Sequence, residues 1–267
     1  MSDLIADLEH SPSLYFPDNL RARIEALEQL DFFNTPHAEA IRTRLEAANS
    51  TVYEKIRRDI RQGRGEEALA HWVPPAEICA GEKYDYRDEV IAGVFQFEEP
   101  PAQILQRNPE MVAYQPTPVR HIFDLFHRTS LTQHDVLIDL GSGLGHVALL
   151  TSICTRARAM GIELEPAYVR IARQTAESLK LKSVTFIERD ARSADLTEGT
   201  VFYLYTPFKG TILGNVLDSL RREAAHRKIR ICTYGPCTMT IANEPWLEPL
   251  DTPQPDRISI FRSHSPG

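Results

Sequence analysis

The sequence predicts an α/β fold in which a mostly parallel sheet is flanked by helices and preceded by an all-helical lobe. Three observations carry this. The apolar run Val136-Leu-Ile-Asp-Leu140 has the composition of a strand buried on both faces, as a parallel sheet requires. Glycines follow at alternate positions, Gly141, Gly143 and Gly145, and then an apolar stretch of helical length over 147–153. Strand, glycine turn and helix make the first half of a nucleotide-binding βαβ unit, because glycine lets the backbone turn sharply and lets a ligand approach with no Cβ in the way. Further strand-like segments then recur at 157–165, 184–187, 201–205 and 228–234, with a terminal one at 257–262.

Ahead of these lies a lobe, residues 1–110, with helical periodicity and no catalytic motif of its own; the core occupies 111–267. The first dozen residues read as a loose terminus. Asp18 or Asn19 is placed to cap a helix with the apolar stripe Leu20, Ile24, Leu27 and Leu30. Pro36 opens a longer one with Ile41, Leu45, Val52, Ile56 and Ile60 on one face, ending at Gly63 and Gly65. A short helix over 66–72 is stopped by Pro74 and Pro75. A fourth over 85–97, with Val90, Ile91, Val94 and Phe95, ends before Pro100 and Pro101. The lobe covers the ligand, shapes a substrate channel or forms a homodimer surface, and the sequence does not rank these.

Composition narrows the partners. A chain of 267 residues, 42% hydrophobic and 25% charged, has room for one large domain and an accessory one. Net charge is −7, and no Lys/Arg run reaches the length of about five that marks a nucleic-acid patch, so no nucleic-acid partner is expected. The densest basic group, Arg57, Arg58, Arg61 and Arg64, reads as a solvated helix face. Four scattered cysteines show neither metal spacing nor a disulfide framework. No apolar run of about 18 residues and no export signal is present, so no membrane is expected and a cytoplasmic location is.

Spacing selects the ligand. A dinucleotide fingerprint is G-x-G-x-x-G, whereas here the pattern is D-x-G-x-G-x-G, and no Gly-Lys-Ser/Thr follows to cradle a triphosphate. Glu163 stands at the carboxyl end of the next strand, about 20 residues beyond the glycines, where an acid grips a ribose diol. This arrangement resembles motif I of the class I S-adenosylmethionine (SAM) methyltransferases, whose core is a Rossmann-like seven-stranded sheet. The resemblance implies SAM as cofactor, with Asp139 facing the methionine amino group. It also implies Gly141, Ser142, Gly143 and Gly145 as the turn beneath SAM, Glu163 on the ribose, and Asp190 with Ala191 at the adenine.

The segment before the core adds to this. Pro116 and Pro118 stiffen the loop that carries Tyr114 and Thr117. It either closes over a ligand or serves as a linker in which Thr117 caps the next helix. Tyr-x-x-Thr-Pro followed by Asp-Leu-Gly-Ser-Gly-x-Gly is similar to the non-SET histone-lysine methyltransferases of the disruptor-of-telomeric-silencing type, over about residues 110–245. A second resemblance is to small lysine methyltransferases of mitochondrial proteins. Both imply Tyr114 and Thr117 as cofactor-side loop contacts, with Tyr114 also forming the acceptor channel.

Two departures stand out. Thr206-Pro207-Phe208 replaces the asparagines or the Asn/Asp-Pro-Pro-Tyr/Phe that follow the fourth strand in amino-methylating relatives. A hydroxyl orients an acceptor less fully than a carboxamide does. The chain also lacks the basic patch a nucleosome would call for. Thr206 in the polar position, Phe208 with Tyr203 or Tyr205 as an aromatic wall, and Tyr114 are the expected catalytic set; Tyr234-Gly-Pro-Cys237 is placed to join the acceptor pocket. Cys237 is not expected as a nucleophile, and His146 or His121 would act as base only toward a hydroxyl or acid. The expected function is SAM-dependent methylation of an acceptor amine, foremost a protein lysine. The alternatives are a small-molecule methyltransferase with the lobe as lid, and a non-catalytic SAM-binding partner protein.

Overall fold

A computed structural model describes residues 17–31, 34–72, 81, 83–98 and 108–264. The expected loose terminus and the helix-stopping prolines at 74, 75, 100 and 101 lie outside the described residues, as does Cys79. The chain divides into two compact units, Met1–Pro74 with Tyr84–Gln96, and Pro75–Lys83 with Phe97–Gly267.

The described part of the first unit is helical: α1 (Pro17–Leu30), α2 (Pro36–Arg61), α3 (Gly65–Ala70) and α4 (Tyr86–Phe95). Asp18 and Asn19 lie inside α1 rather than capping it, because the helix starts at Pro17, whose fixed φ suits a first turn. In α2 the capping residue is Thr35, whose Oγ1 accepts from the Ala38 amide at 3.1 Å. Ala26 and Leu30 of α1 pack against Ala38 and Leu45 of α2. α4 starts with a capping box, Asp85 and Asp88 each accepting from the other's end of the turn. Arg57 departs from the expected solvated face: it is buried, and its guanidinium donates to the Val94 carbonyl.

The second unit holds α5 (Val119–Thr129), β1 (Val136–Leu140), α6 (His146–Cys154), β2 (Arg158–Glu163), α7 (Pro166–Ser178), β3 (Val184–Glu188) and a 3₁₀ turn (Ala191–Ser193). There follow β4 (Val201–Tyr205), α8 (Gly210–Ala224), β5 (Arg230–Tyr234), α9 (Cys237–Ile241), β6 (Leu247–Pro249) and β7 (Ser259–Ser263). They build the expected mostly parallel seven-stranded sheet, in the order β3-β2-β1-β4-β5-β7-β6, with β7 antiparallel to both its neighbours. Strand order reverses between β1 and β4. Open α/β sheets bind ligands in the crevice outside the strand carboxyl ends at such a point.

β1 is buried along its whole length, which is why it reads as a nearly unbroken apolar run. Ile138 and Leu140 of β1, Phe202 and Leu204 of β4, and Leu213, Val216 and Leu220 of α8 share one core with Phe261 of β7. This core holds the β1 and β4 ends in register, Asp139 opposite Tyr203. Phe202 is fully buried at its centre. Phe202→Ala should lower unfolding stability by about 3–5 kcal/mol, read from the midpoint of chemical denaturation, because the cavity it leaves cannot refill.

Candidate functional site

The β1 carboxyl end runs into a turn fastened from below. Gly141 and Ser142 donate their amides to the Ile162 carbonyl at 2.8 and 3.1 Å. Gly143 donates to Glu163 Oε2 at 2.8 Å, while Glu163 Oε1 accepts from the Leu164 and Glu165 amides at 2.7 and 2.9 Å. An ionised carboxylate has about four lone-pair sites, so Oε2 keeps one for a ligand hydroxyl. Two of these glycines meet the loops that pack onto the turn. At Gly143, with φ +52°, a Cβ would lie 2.1 Å from Tyr114 Cε2; at Gly141, with φ +82°, it would lie 2.3 Å from Pro207 Cβ.

The loop before α5 is packed onto this turn. The Tyr114 ring tilts against Tyr168 with centroids 5.1 Å apart, and its hydroxyl shares a 3.2 Å hydrogen bond with His146 Nδ1. Thr117 does not cap α5, whose N-cap is Pro118; its Oγ1 instead pairs with the Tyr203 hydroxyl at 2.9 Å. Met111 forms a one-residue antiparallel bridge to Phe208.

Beyond β4, Thr206 adopts a left-handed φ of +38°. Its hydroxyl donates to the Tyr234 carbonyl at 3.0 Å and accepts from the Cys237 amide at 3.1 Å. The donor of Thr206 is therefore spent on joining the β4 and β5 loops. The Tyr205 and Tyr234 rings tilt against each other, centroids 4.6 Å apart. The Cys237 thiol is buried, and burial pushes its pKa up, away from thiolate chemistry.

These elements enclose a cavity of about 780 Å³. Its wall brings together Tyr114, Thr117, Asp139, Gly141, Ser142, Glu163, Asp190, Ala191, Thr206 and Phe208. Gly143 and Gly145 are not part of the wall: Gly143 lies beneath Tyr114, and Gly145 is the N-cap of α6. His121 is also off the wall, fully buried with Nε2 2.8 Å from the Gly81 carbonyl. Sequence reasoning offered His146 only as a base toward a hydroxyl or acid, and it left out other wall residues, Glu165, Tyr168 and Arg189 among them. His146 was signalled by its place after the last glycine, while nothing in the pattern marked Glu165.

The wall is electrostatically uneven. Burial, with the Glu163 charge adding to it, raises the Asp139 carboxyl to about 8. Burial lowers His146 to about 4, so its ring is neutral near pH 7. Asp190 is held below the usual carboxylate range by Arg192, whose Nη2 lies 2.6 Å away. A buried acid that resists ionisation unless a cation joins it, one turn from a carboxylate with a lone pair to spare, fits SAM. Asp139 would hold the amino group, Glu163 a ribose hydroxyl, and the Asp190–Ala191 segment the adenine edge. Among the described residues no cluster of His, Cys, Asp or Glu could hold a metal ion.

Residues 110–193 match the family model described as histone methylation protein DOT1, a match shorter than half the chain. No curated protein matches the chain. Among solved structures, an RNA methyltransferase from Salinibacter ruber in complex with S-adenosyl-L-homocysteine (SAH) is 25% identical, with a TM-score of 0.43 over 57% of this chain and 92% of that one. A precorrin-6y C5,15-methyltransferase from Geobacter metallireducens GS-15 is 16% identical, with a TM-score of 0.42 over 60% and 93%. TrmN from Thermus thermophilus is 18% identical, with a TM-score of 0.42, and the match covers 56% of this chain and about half, 49%, of TrmN. The family match spans the Tyr114 loop, the glycine turn and Glu163, and with the acids on the cavity wall it identifies a SAM-dependent methyltransferase.

Two outcomes follow for the cofactor end. Gly143→Ala should weaken SAH binding at least about tenfold in calorimetry, because the new methyl displaces the Tyr114 ring. Asp139 keeps its proton up to about 8, and a cationic amino group must displace it. SAH binding should therefore release a proton and tighten from about pH 6 to about pH 8, by up to about tenfold per unit, a dependence that Asp139→Asn abolishes. The stability sign is opposite to that of a salt-bridged acid. The folded carboxyl holds its proton more tightly than the unfolded one, so ligand-free stability falls as pH rises from the ordinary Asp range through about 8.

Proposed function

We propose that the methyl acceptor is an amine, the side chain of a lysine on a protein substrate, and that the enzyme works in the cytoplasm. The carrying observation is the β4 end of the cavity, where Tyr205, Phe208, Met111 and Pro236 form an aromatic and apolar wall. Such a wall strips water from an entering ammonium group and lowers its pKa, so the neutral amine presents its lone pair without a dedicated base. His146 stays neutral and Cys237 stays a thiol, so neither is suited to strong base or nucleophile chemistry. The bound cofactor supplies an electrophilic methyl group on a sulfonium. What the chain itself supplies is positioning, which is the larger part of catalysis for an in-line displacement.

Thr206 takes a positioning role in this reading, since its hydroxyl braces the loop that carries Phe208. Tyr114 closes the cofactor side from above Gly143. The match to a histone-methylation family model supports a protein amine as acceptor. A net charge of −7 favours a protein over a nucleic acid, whose phosphates such a surface repels. A metabolite acceptor is the second reading, favoured by the cavity volume of about 780 Å³, which lies in the range of small-molecule sites.

Incubating the enzyme with methyl-tritiated SAM and a cell lysate separates these readings. Label in a protein band, recovered as methyl-lysine after acid hydrolysis and reduced at least about tenfold by Phe208→Ala, is the expected result. Label confined to filterable small molecules would favour the metabolite, and no enzyme-dependent label in either fraction would sink both.

A further inference from the structure

The segment 108–117 reaches both ends of the cavity, and its first acid does more than start a loop. The Glu110 carbonyl accepts from the Lys209 amide at 2.9 Å, and the Val112 amide donates to the Pro207 carbonyl at 3.1 Å, which brackets the Met111–Phe208 bridge. Glu110 Oε2 accepts from both Thr211 Oγ1 at 2.6 Å and the Ile212 amide at 2.9 Å, in the first turn of α8. A carboxylate there satisfies an otherwise orphan amide and complements the helix dipole. Gly210, with φ +58°, has no Cβ because Glu110 Oε1 occupies that place, 2.3 Å from where the atom would be. The Thr211 hydroxyl and the two amides hold the Glu110 carboxyl below the usual carboxylate range, so it is charged under ordinary conditions.

Four residues on, the same segment presents Tyr114 to the glycine turn and to His146. One short stretch of chain thus joins the cofactor end to the loop that carries Phe208. We propose that Glu110 is a positioning residue that couples the two ends of the cavity, so that filling the cofactor end orders the β4–α8 loop at the acceptor end. This rests on the reading of the β4 end as the acceptor wall. The coupling makes cofactor binding strengthen acceptor binding, and the reverse by the same factor.

Hydrogen exchange of the full chain, read by mass spectrometry over residues 208–213 with and without SAH, tests it. In the wild type, SAH should slow exchange of this segment about tenfold, the factor expected when a charge-assisted hydrogen-bonded loop is held closed. Glu110→Ala should still bind SAH but lose that protection, while Glu110→Gln, whose amide oxygen can accept the same two bonds, should restore it. Thr211→Val removes one bond to the carboxylate while Glu110 stays. It should lose a measurable part of the protection, and it decides the matter if the alanine variant does not fold. Full SAH-induced protection in both Glu110→Ala and Thr211→Val would overturn the coupling, as would SAH binding to the wild type with no protection at 208–213. Failure of the wild type to bind SAH would instead overturn the cofactor site, and the coupling with it.

Discussion

Glu163 accepts three backbone amides, from Gly143, Leu164 and Glu165, and the geometry of the site depends on that carboxylate. Charge-assisted bonds of this kind are about twice as strong as neutral ones. With the Gly141 and Ser142 amides on the Ile162 carbonyl, they fix the glycine turn above β1 to the end of β2, so a side chain helps set the height of the turn over the sheet. Once the turn is fixed there, Tyr114 can lie on Gly143 and Pro207 can approach Gly141. The two ends of the cavity therefore share one anchor.

The two ends of the cavity use opposite electrostatic strategies. Near β1, Asp139 is buried beside a second acid and raised to about 8, an arrangement that costs stability until a cation arrives. Near β4 the wall is largely aromatic and apolar, and the hydroxyls of Thr206 and Tyr203 are already committed, Thr206 to Tyr234 and Cys237, and Tyr203 to Thr117. One end attracts positive charge, and in the proposed reading the other strips water from an entering amine. A methyl transfer that passes from a sulfonium to a neutral amine draws on both.

Much of the core was legible because its signals are local. β1 and β4 fall where the apolar runs place them, Val136–Leu140 and Val201–Tyr205. The order of Asp139, the three glycines and Glu163 along the chain carried the topology of the first βαβ unit. What escaped was set by contacts across the chain. Thr117 reads equally well as a helix cap until Tyr203, 86 residues away, claims its hydroxyl. The three-residue edge strand Leu247–Pro249 has no periodicity to detect, and the turn expected at Cys237 continues as a short helix because Thr206 accepts from its first amide. Arg57 sits in a basic cluster that resembles a solvated face, yet it turns inward to cap the Val94 carbonyl. Glu110 carried no motif at all, since its partners, Thr211 and Ile212, follow about a hundred residues later.

The most direct test of the account is a calorimetric titration of the full chain with SAH, comparing wild type with Glu163→Ala. The account predicts saturable one-to-one binding by the wild type and a loss of at least about a hundredfold in the variant, because the ribose acceptor and the anchor of the turn disappear together. A wild type that binds no SAH, or a variant that binds it as tightly as the wild type, would contradict it.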